Sequence, residues 1–294
     1  MVQPVGDAEP APAPGGDTGP AALPLIDPDA FNAFEAAGWE ERAGTYAFLS
    51  PMTRRVGGTV LSAAMVGEGC QVLDVGAGPG ELAAAAAALG ADTVGIDVAP
   101  SMVRRAAIAN PSIPFRVGSF EAIPAGEGAF DAVVANFVLN HVGRPEVALA
   151  EACRVLRPGG WLAVSSWDAP RHNRLLGLFV DAVAAAGAPE PPGIPTGPVN
   201  FRSDDELRAM FSAAGFTDVG LSRIQFVAAV ADADTLWHGV LDSAVRTRSL
   251  VAAHPLDVQA AIRVEFDRLV AVHRRDDGSL AIPVAVQVTR GRRP

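Results

Sequence analysis

The sequence VLDVGAGPG at residues 72–80 decides the fold of this chain of 294 residues. Its first half belongs to a short apolar run, Gln71–Val75, of the length expected for a buried β-strand. Its second half places three glycines before an alanine-rich helical segment, Glu81–Leu89. Glycine lets the backbone turn tightly and approach a ligand closely. Because open α/β sheets bind ligands at the carboxyl ends of parallel strands, the turn at 76–80 is the first candidate for a binding site.

Short apolar runs alternate with helical segments on the C-terminal side of this turn. The pattern predicts further strands at Thr93–Ile96, Pro114–Val117, Ala132–Ala135, Trp161–Ser165, Leu221–Val230 and Ala281–Thr289. Helices are predicted at Ser101–Ala109 and Pro145–Leu156, and a capping box at Ser203–Glu206 opens another that runs to about Ala214. Such alternation is typical of a parallel sheet with helices on both faces. The sequence therefore predicts an α/β fold of the Rossmann-like, doubly wound kind.

The chain divides by composition into a tail and one domain. Residues 1–24 are rich in Pro, Ala and Gly, and such a segment cannot bury enough apolar surface to offset its ordering entropy. We expect a disordered tail there and a single domain over residues 25–294. Within that domain we distinguish an N-terminal helical cap at 25–65, a core with the binding site at 66–230, and a helical insertion with a closing strand at 231–294.

Charge and composition exclude several classes of protein. The net charge is −10, and all 23 basic residues are Arg, which excludes a lysine Schiff base. Nucleic acids and anionic membranes require clustered cations, so neither is expected as a partner. No apolar stretch is long enough to span a membrane, and no signal peptide is recognisable. We expect a cytoplasmic protein with free thiols at Cys70 and Cys153, and no metal, because the histidines lack metal-ligand spacing.

An acid at the end of the second strand indicates the type of ligand. Asp97 follows Gly80 by 17 residues, a position from which a carboxylate can accept hydrogen bonds from both ribose hydroxyls. The alternative is an ordinary helix N-cap. Dinucleotide enzymes use the same acid, but their loop is G-x-G-x-x-G, and Glu81 stands at the third glycine position. A carboxylate there would repel a pyrophosphate, so the loop favours an adenosine ligand without phosphates.

Four segments in order resemble the class I S-adenosylmethionine (SAM)-dependent methyltransferases, most closely the branch that acts on small molecules such as quinones and natural products. The segments are VLDVGAGPG at 72–80, GIDVAPSM at 95–102, FDAVVANFVLNHV at 130–142 and RVLRPGGWLAVSSW at 154–167. With AAGF at 213–216 the resemblance spans about residues 60–230. It implies a mostly parallel seven-stranded sheet whose last strand is antiparallel, with N-terminal helices and a helical insertion before that strand.

The resemblance also implies which residues bind SAM. Gly76, Ala77 and Gly78 would line its methionine part, and Asp74 would help to hold the loop and the amino group. Asp97 would bind the ribose. Further contacts would come from Val98 and Met102 near the adenosine and from the backbone of Asn136 near the amino end. SAM carries a sulfonium and an ammonium rather than phosphates, so nearby acids are tolerated.

One position departs from the family pattern. Relatives often carry Gly-Asp after the third strand, with the Asp contacting the adenine amino group. Here Ser119 stands at that position, between Gly118 and Phe120. A hydroxyl accepts this hydrogen bond more weakly than a carboxylate. Phe120 would stack on the adenine ring, and either a lower SAM affinity or recognition by a backbone amide would follow.

Two histidines are candidates for a general base. Methyl transfer from a sulfonium depends mostly on positioning, and a base helps only when the acceptor must lose a proton. His141 follows the fourth strand on the ligand side of the sheet, where it acts as a base or simply lines the pocket. His172 follows the fifth strand, and a solvated loop histidine is its alternative role.

The acceptor side is the least patterned part of the sequence. Trp39 and Tyr46, with Phe48, are predicted to close over SAM and the acceptor, and core packing is the alternative. Trp167 and Arg171 follow the fifth strand, where Arg171 would orient an anionic or carbonyl acceptor unless it is a surface charge. The segment that continues to Asn200 is rich in Pro and Gly and is predicted as a substrate lid. Relatives use the late helices at 231–274 for acceptor pockets or dimer contacts, which leaves a homodimer open.

These observations lead to three hypotheses about function. The first is methyl transfer from SAM to an O, N or C atom of a small molecule in specialised metabolism. The second keeps the fold but uses the pocket for a cyclisation or rearrangement without methyl transfer, because fold does not fix function. The third is a SAM-binding or partner-binding module without catalysis, which the intact glycine loop and Asp97 disfavour.

Overall fold

The computed structural model of the protein describes residues 27–189 and 203–294. In these residues seven strands form one sheet in the order β3-β2-β1-β4-β5-β7-β6. The strands are β1 (Gln71–Val75), β2 (Asp92–Asp97), β3 (Phe115–Val117), β4 (Phe130–Asn136), β5 (Leu156–Trp167), β6 (Thr217–Val230) and β7 (Leu280–Arg292). β7 is antiparallel to both β5 and β6, whereas all other neighbours are parallel. The expected fold class is therefore confirmed.

Ten α-helices and three short 3₁₀ turns accompany the sheet in the described part of the chain. The helices are α1 (Pro28–Arg42), α2 (Ser50–Ala63), α3 (Glu81–Ala88), α4 (Pro100–Ala109), α5 (Pro145–Val155), α6 (Arg174–Ala185), α7 (Asp204–Ala213), α8 (Ala233–Ser243), α9 (Val245–Ala252) and α10 (Leu256–Val270); the 3₁₀ turns are Tyr46–Phe48, Leu139–His141 and Ala271–His273. None of these helices is both long and apolar enough to cross a membrane.

Local signals explain where several helices begin. The Asp27 carboxylate accepts from the backbone N–H groups of Asp29 and Ala30, and Pro28 opens α1. Such a cap satisfies two of the N–H groups that the first turn leaves without partners. At α7 the predicted capping box is present, with Ser203 and Glu206 bonded to each other's backbone. These two starts are therefore determined by residues adjacent in sequence.

The sheet separates two hydrophobic layers, because successive side chains of a strand point to opposite faces. In β4, Ala132 and Val134 face a layer that includes α2, α6, α8 and α10. Val133 and Ala135 face the other layer, which α5 and α7 cover. The first layer contains buried side chains of β1, β4, β5, β6 and β7 together with those of α8 and α10, so the helices after residue 231 share one core with these strands.

The segment after β5 differs from the expected long loop. Residues 174–185 form α6, whose residues Leu175, Leu178, Phe179 and Ala182 are fully buried. Their spacing of three and four residues is helical, a signal that the Pro- and Gly-rich sequence further along obscured. Residues 190–200 of the expected lid lie outside the described residues, as does the expected tail at 1–24. The division of residues 25–294 into cap, core and insertion stays a prediction.

Candidate active site

The glycine loop joins β1 to α3 with three residues in the left-handed region. The φ angles of Gly76, Gly78 and Gly80 are +64°, +52° and +86°, a conformation that L side chains rarely adopt. A Cβ at Gly76 would also lie 2.4 Å from a methyl group of Val138, whereas a Cβ at Gly78 would meet nothing within 4 Å. Gly76 therefore permits close packing beneath the loop, and Gly78 leaves free space above it.

Asp97 holds this loop in place from the end of β2. One carboxylate oxygen accepts from Gly78 N at 2.8 Å and the other from Ala99 N at 2.9 Å. Burial raises the pKa of Asp97, and the hydrogen bonds from Ala99 and Gly78 counteract that effect. Each oxygen retains a second lone pair, so Asp97 can hold the loop and still accept from a ligand.

Asp74 lies beneath the loop and is nearly inaccessible to solvent, with an exposed fraction of 1%. Burial, opposed by a hydrogen bond from the backbone of Ala83 and reinforced by the charge of Asp97, raises the pKa of Asp74 to about 8. Its Oδ2 is buried without a hydrogen-bond partner. Asp74 does not line the cavity described next, so it can influence the site only through the loop.

A cavity of about 120 Å³ opens between the glycine loop and α1. Eleven of the residues singled out in the sequence line it: Trp39, Tyr46, Gly76, Gly78, Asp97, Val98, Met102, Ser119, Phe120, Asn136 and His141. The sequence-based site thus gathers around one space, although these residues come from seven separate segments. The binding role of each residue stays a prediction.

Three acceptor-side candidates lie elsewhere. Trp167 is separated from the cavity by Phe137, whose ring it contacts with centroids 4.0 Å apart. His172 and Arg171 are bonded to each other, and His172 Nδ1 lies 3.4 Å from the carboxylate of Asp168. The buried Asp168 also accepts from Arg223 of β6 at 2.9 Å, so this group ties the end of β5 to β6. Ala77 belongs to the glycine loop itself but does not line the cavity, and its Cβ packs next to Gly95.

The residues after β3 and β4 use their side chains to fix the backbone. Ser119 Oγ accepts from Glu121 N at 3.1 Å, and Phe120 beside it is buried. Asn136 Oδ1 accepts from Ser165 Oγ at 2.6 Å, and Asn136 Nδ2 donates to the carbonyl of Thr53. Ser119 therefore stabilises a turn, and Asn136 joins β4 to β5 and α2.

His141 forms a dyad with a glutamate that the sequence did not reveal. Its Nδ1 lies 2.9 Å from Oε2 of Glu35 in α1, and Glu35 is 2% exposed. The Glu35 Oε1 faces Arg246 of α9, whose Nε is 3.3 Å away. Asn140 Nδ2 lies 3.0 Å from Nε2 of the same imidazole. The side of the His141 ring meets Trp39 edge to face, with centroids 5.1 Å apart.

One face of α1 supplies this side of the cavity. Asn32, Glu35, Ala36 and Trp39 all line it, and their spacing of three and four residues puts them on the same side of a helix. The helical spacing indicates that Glu35 shares a face of α1 with Asn32 and Trp39. The packing of α1 against the rest of the protein is needed to show that this face points into the cavity. Asn32 secures the docking by accepting from Gly143 N at 2.7 Å.

α1 is also anchored away from the cavity. The Glu40 carboxylate accepts from the backbone N–H of Ser101 at 2.8 Å and from its hydroxyl at 2.7 Å. These contacts attach the end of α1 to the start of α4.

No group of three or more His, Cys, Asp or Glu side chains in residues 27–189 and 203–294 is arranged to hold a metal ion.

Similarity to known proteins agrees with this architecture. Residues 73–164 match the family model of a methyltransferase domain. The chain is 38% identical over 134 residues to a demethylmenaquinone methyltransferase of Renibacterium salmoninarum, covering 46% of this chain and 56% of the relative. It is 37% identical over 123 residues to a ubiquinone biosynthesis O-methyltransferase of Xanthomonas oryzae pv. oryzae, covering 40% and 49%. The alignments thus span about half the length of these curated relatives.

Solved structures share the fold at low sequence identity. The YcgJ protein of Bacillus subtilis superposes with a TM-score of 0.54 at 20% identity, covering 81% of this chain and 97% of that one. The [4+2]-cyclase SpnF gives a TM-score of 0.52 at 19% identity, covering 82% and 81%. Residues 73–164 thus resemble a methyltransferase domain, and the described chain shares the fold of these solved structures.

Proposed function

We propose that the protein transfers a methyl group from SAM to a small-molecule acceptor. The observation that carries the proposal is the cavity, which has the glycine loop and Asp97 on one side and His141 with the aromatic face of α1 on the other. One side has the features of a cofactor site, and the opposite side presents a proton acceptor. The match of residues 73–164 to a methyltransferase domain supports the same activity.

The residues around the loop fit SAM. When bound, SAM supplies a methyl group on a positively charged sulfur, which leaves as a neutral thioether. Two carboxyl groups, Asp74 and Asp97, stand at the ends of adjacent strands, and the buried Oδ2 of Asp74 has no partner. The open space above Gly78 allows the ligand to approach the backbone. Asp97 would hold the ribose, while Val98 and Met102 would pack near the adenosine.

The cavity favours an acceptor without negative charge. None of the described residues that line it is Arg, and the chain has no Lys. Carboxylate or phosphate acceptors would therefore lack the paired cation that such groups need when buried. Trp39, Tyr46 and Phe137 provide aromatic surface for a ring compound. We propose that the acceptor is a neutral ring compound of specialised metabolism that carries a hydroxyl group. Quinols are a related class that the tests should include.

The chain's own residues account for the rest of the proposed mechanism. The aromatic face of α1 orients the acceptor and excludes water, which brings the two reactants together. His141 takes the proton that a hydroxyl acceptor loses. Catalysis then requires neither a metal nor a covalent link to the protein.

The test has two stages. Calorimetric titration with SAM and with S-adenosylhomocysteine should show micromolar binding of both. In the second stage, SAM with an isotopically labelled methyl group is incubated with a panel of phenols, quinols and amines, and mass spectrometry should detect a product heavier by one methyl substituent. Absence of SAM binding, or binding without transfer to any member of a broad panel, would argue against the proposed activity.

The same products distinguish the second hypothesis. A cyclisation or rearrangement leaves the mass of the compound unchanged and alters only its chromatographic retention. The [4+2]-cyclase among the structural neighbours shows that this fold accommodates a cyclase, but at 19% identity it supports the fold alone. Light scattering of the purified protein tests the homodimer left open by the sequence, and fractionation of the source cells tests the expected cytoplasmic location.

A further inference from the structure

We infer that Glu35 is a positioning residue that fixes the proton of His141 on Nδ1, so that Nε2 is the atom that takes the proton of the acceptor. The inference rests on the proposed function, because a general base has a role only if the acceptor loses a proton. Glu35 itself contacts neither the acceptor nor SAM in this account. It acts through His141.

The Glu35 contact of the imidazole selects its tautomer. A neutral imidazole has one N–H and one lone pair. A carboxylate can only accept, so Nδ1, which lies 2.9 Å from Glu35 Oε2, carries the proton. The Asn140 amide lies 3.0 Å from Nε2 and can present either its N–H or its oxygen there, so it does not select a tautomer. The amide has to turn aside when the hydroxyl of an acceptor reaches Nε2.

Burial and a second charge keep the Glu35 carboxylate in place. Glu35 is 2% exposed, and an isolated carboxylate at such a site would be strongly destabilised. Arg246, whose Nε is 3.3 Å from Oε1, supplies the compensating charge. The ion pair thus makes Glu35 an obligatory acceptor, since an ionised carboxylate cannot donate a hydrogen bond.

The proton then follows a defined route. The O–H bond of the acceptor breaks, and its proton forms a bond with Nε2 of His141. The electron pair left on oxygen forms the new bond to the methyl carbon, and the sulfur keeps the pair of the bond that breaks. The resulting imidazolium is stabilised by Glu35 at Nδ1. A half-turn of the Asn140 amide offers Oδ1, which is buried without a partner, to the new N–H at Nε2.

The tautomer can be read directly from the protein. Of the five histidines in the chain, His141 is assigned as the signal missing from a His141→Gln variant in long-range ¹H–¹⁵N spectra of ¹⁵N-histidine-labelled protein. At a pH where the ring is neutral, we expect Nδ1 to carry the proton in the wild type. A proton on Nε2 would overturn the inference, whatever the activity of the enzyme.

Substitution of Glu35 tests whether it is the cause. Glu35→Gln keeps the shape but removes the charge, and its amide can present either its oxygen or its N–H to Nδ1, so we expect the Nδ1–H tautomer to lose its dominance. With the acceptor found by the panel, kcat should fall at least about 100-fold, in the range of general-base contributions. The Kd for SAM and the KM for the acceptor should stay within about twofold of wild type, because no direct binding contact is lost.

The control lies on the same helix. Glu41→Gln changes an exposed acid of α1 that pairs with its neighbour Arg42, so the tautomer and kcat should remain those of the wild type. A Glu35→Gln protein that binds SAM and transfers methyl groups at the wild-type rate would refute the role of Glu35 and leave the proposed function intact. If Glu35→Gln does not fold, the tautomer of His141 in the wild-type protein tests the inference by itself.

Discussion

Replacing the buried Asp74 with asparagine should change how the stability of the protein depends on pH. Burial raises the pKa of Asp74 from 3.8 to about 8, so the folded state binds this proton more tightly than the unfolded chain does. The free energy of unfolding therefore falls as pH rises through this interval. The destabilisation of the folded state by Asp74 is absent below about pH 4 and complete above about pH 8.

The size of the effect follows from these two pKa values. Each pH unit between them costs about 1.4 kcal/mol. Between pH 6 and pH 8, where the folded state begins to lose the proton, the destabilisation by Asp74 grows by about 2 kcal/mol. Asparagine has nearly the same shape and no proton to lose, so Asp74→Asn should gain about 2 kcal/mol relative to the wild type across this range.

Urea unfolding at pH 6 and pH 8 measures this difference. Any constant cost of burying the amide cancels when the difference between variant and wild type is compared at the two pH values. Asp92→Asn is the matched control, because Asp92 begins the neighbouring strand and is exposed. If the stability difference between Asp74→Asn and wild type is the same at both pH values, burial does not perturb Asp74 and the electrostatic reasoning about the loop is wrong.

Three further changes test the cofactor loop and the shared core. Asp97→Asn should weaken SAM binding at least about tenfold in calorimetry, as expected for a lost hydrogen bond to a charged group, and an unaltered Kd would exclude Asp97 as the ribose ligand. Gly76→Ala should lower the free energy of unfolding by about 1–3 kcal/mol through its φ of +64° and its contact with Val138. Val138→Ala in the same protein should restore part of this loss, and full persistence of the loss would assign it to backbone strain alone. Phe179→Ala should cost about 3–5 kcal/mol, because its ring is fully buried against those of α8 and α10; calorimetry should still show one transition, and a second transition would mean that the insertion unfolds separately.

The cofactor half of the site could be predicted from sequence because its determinants are local. The loop at 76–80 follows directly from β1, and Asp97 ends the next strand, so topology brings them to the same edge of the sheet. Parallel strands share that edge in any doubly wound sheet. The antiparallel last strand was expected from the family resemblance rather than from the pattern of residues, and the order of the strands was not predicted.

The acceptor half depended on contacts that no local pattern contains. Trp167, Arg171 and His172 lie at or after the end of β5, at the expected edge, yet none of them lines the cavity, and α6 begins two residues after His172. Position at the end of a strand therefore predicts proximity to the site but not the direction of the side chains. The buried spacing of 175, 178, 179 and 182 was the signal for α6, and its omission led to the prediction of a long lid.

The Glu35–His141 pair shows why the partner of the proposed base could not be predicted from the sequence. The two residues are separated by 106 positions in the chain, and Glu35 reads in the sequence as one acid among several in an amphipathic helix. The docking of α1, through Asn32 and Glu40, turns the acid toward the cavity, and Arg246 of α9 supplies a charge that compensates for its burial. The proposed cofactor site is thus built within the doubly wound sheet, whereas the His141 dyad also depends on α1 and α9. Because those two segments lie outside the 73–164 domain match, proteins that share the domain can differ in acceptor chemistry while retaining the same cofactor loop.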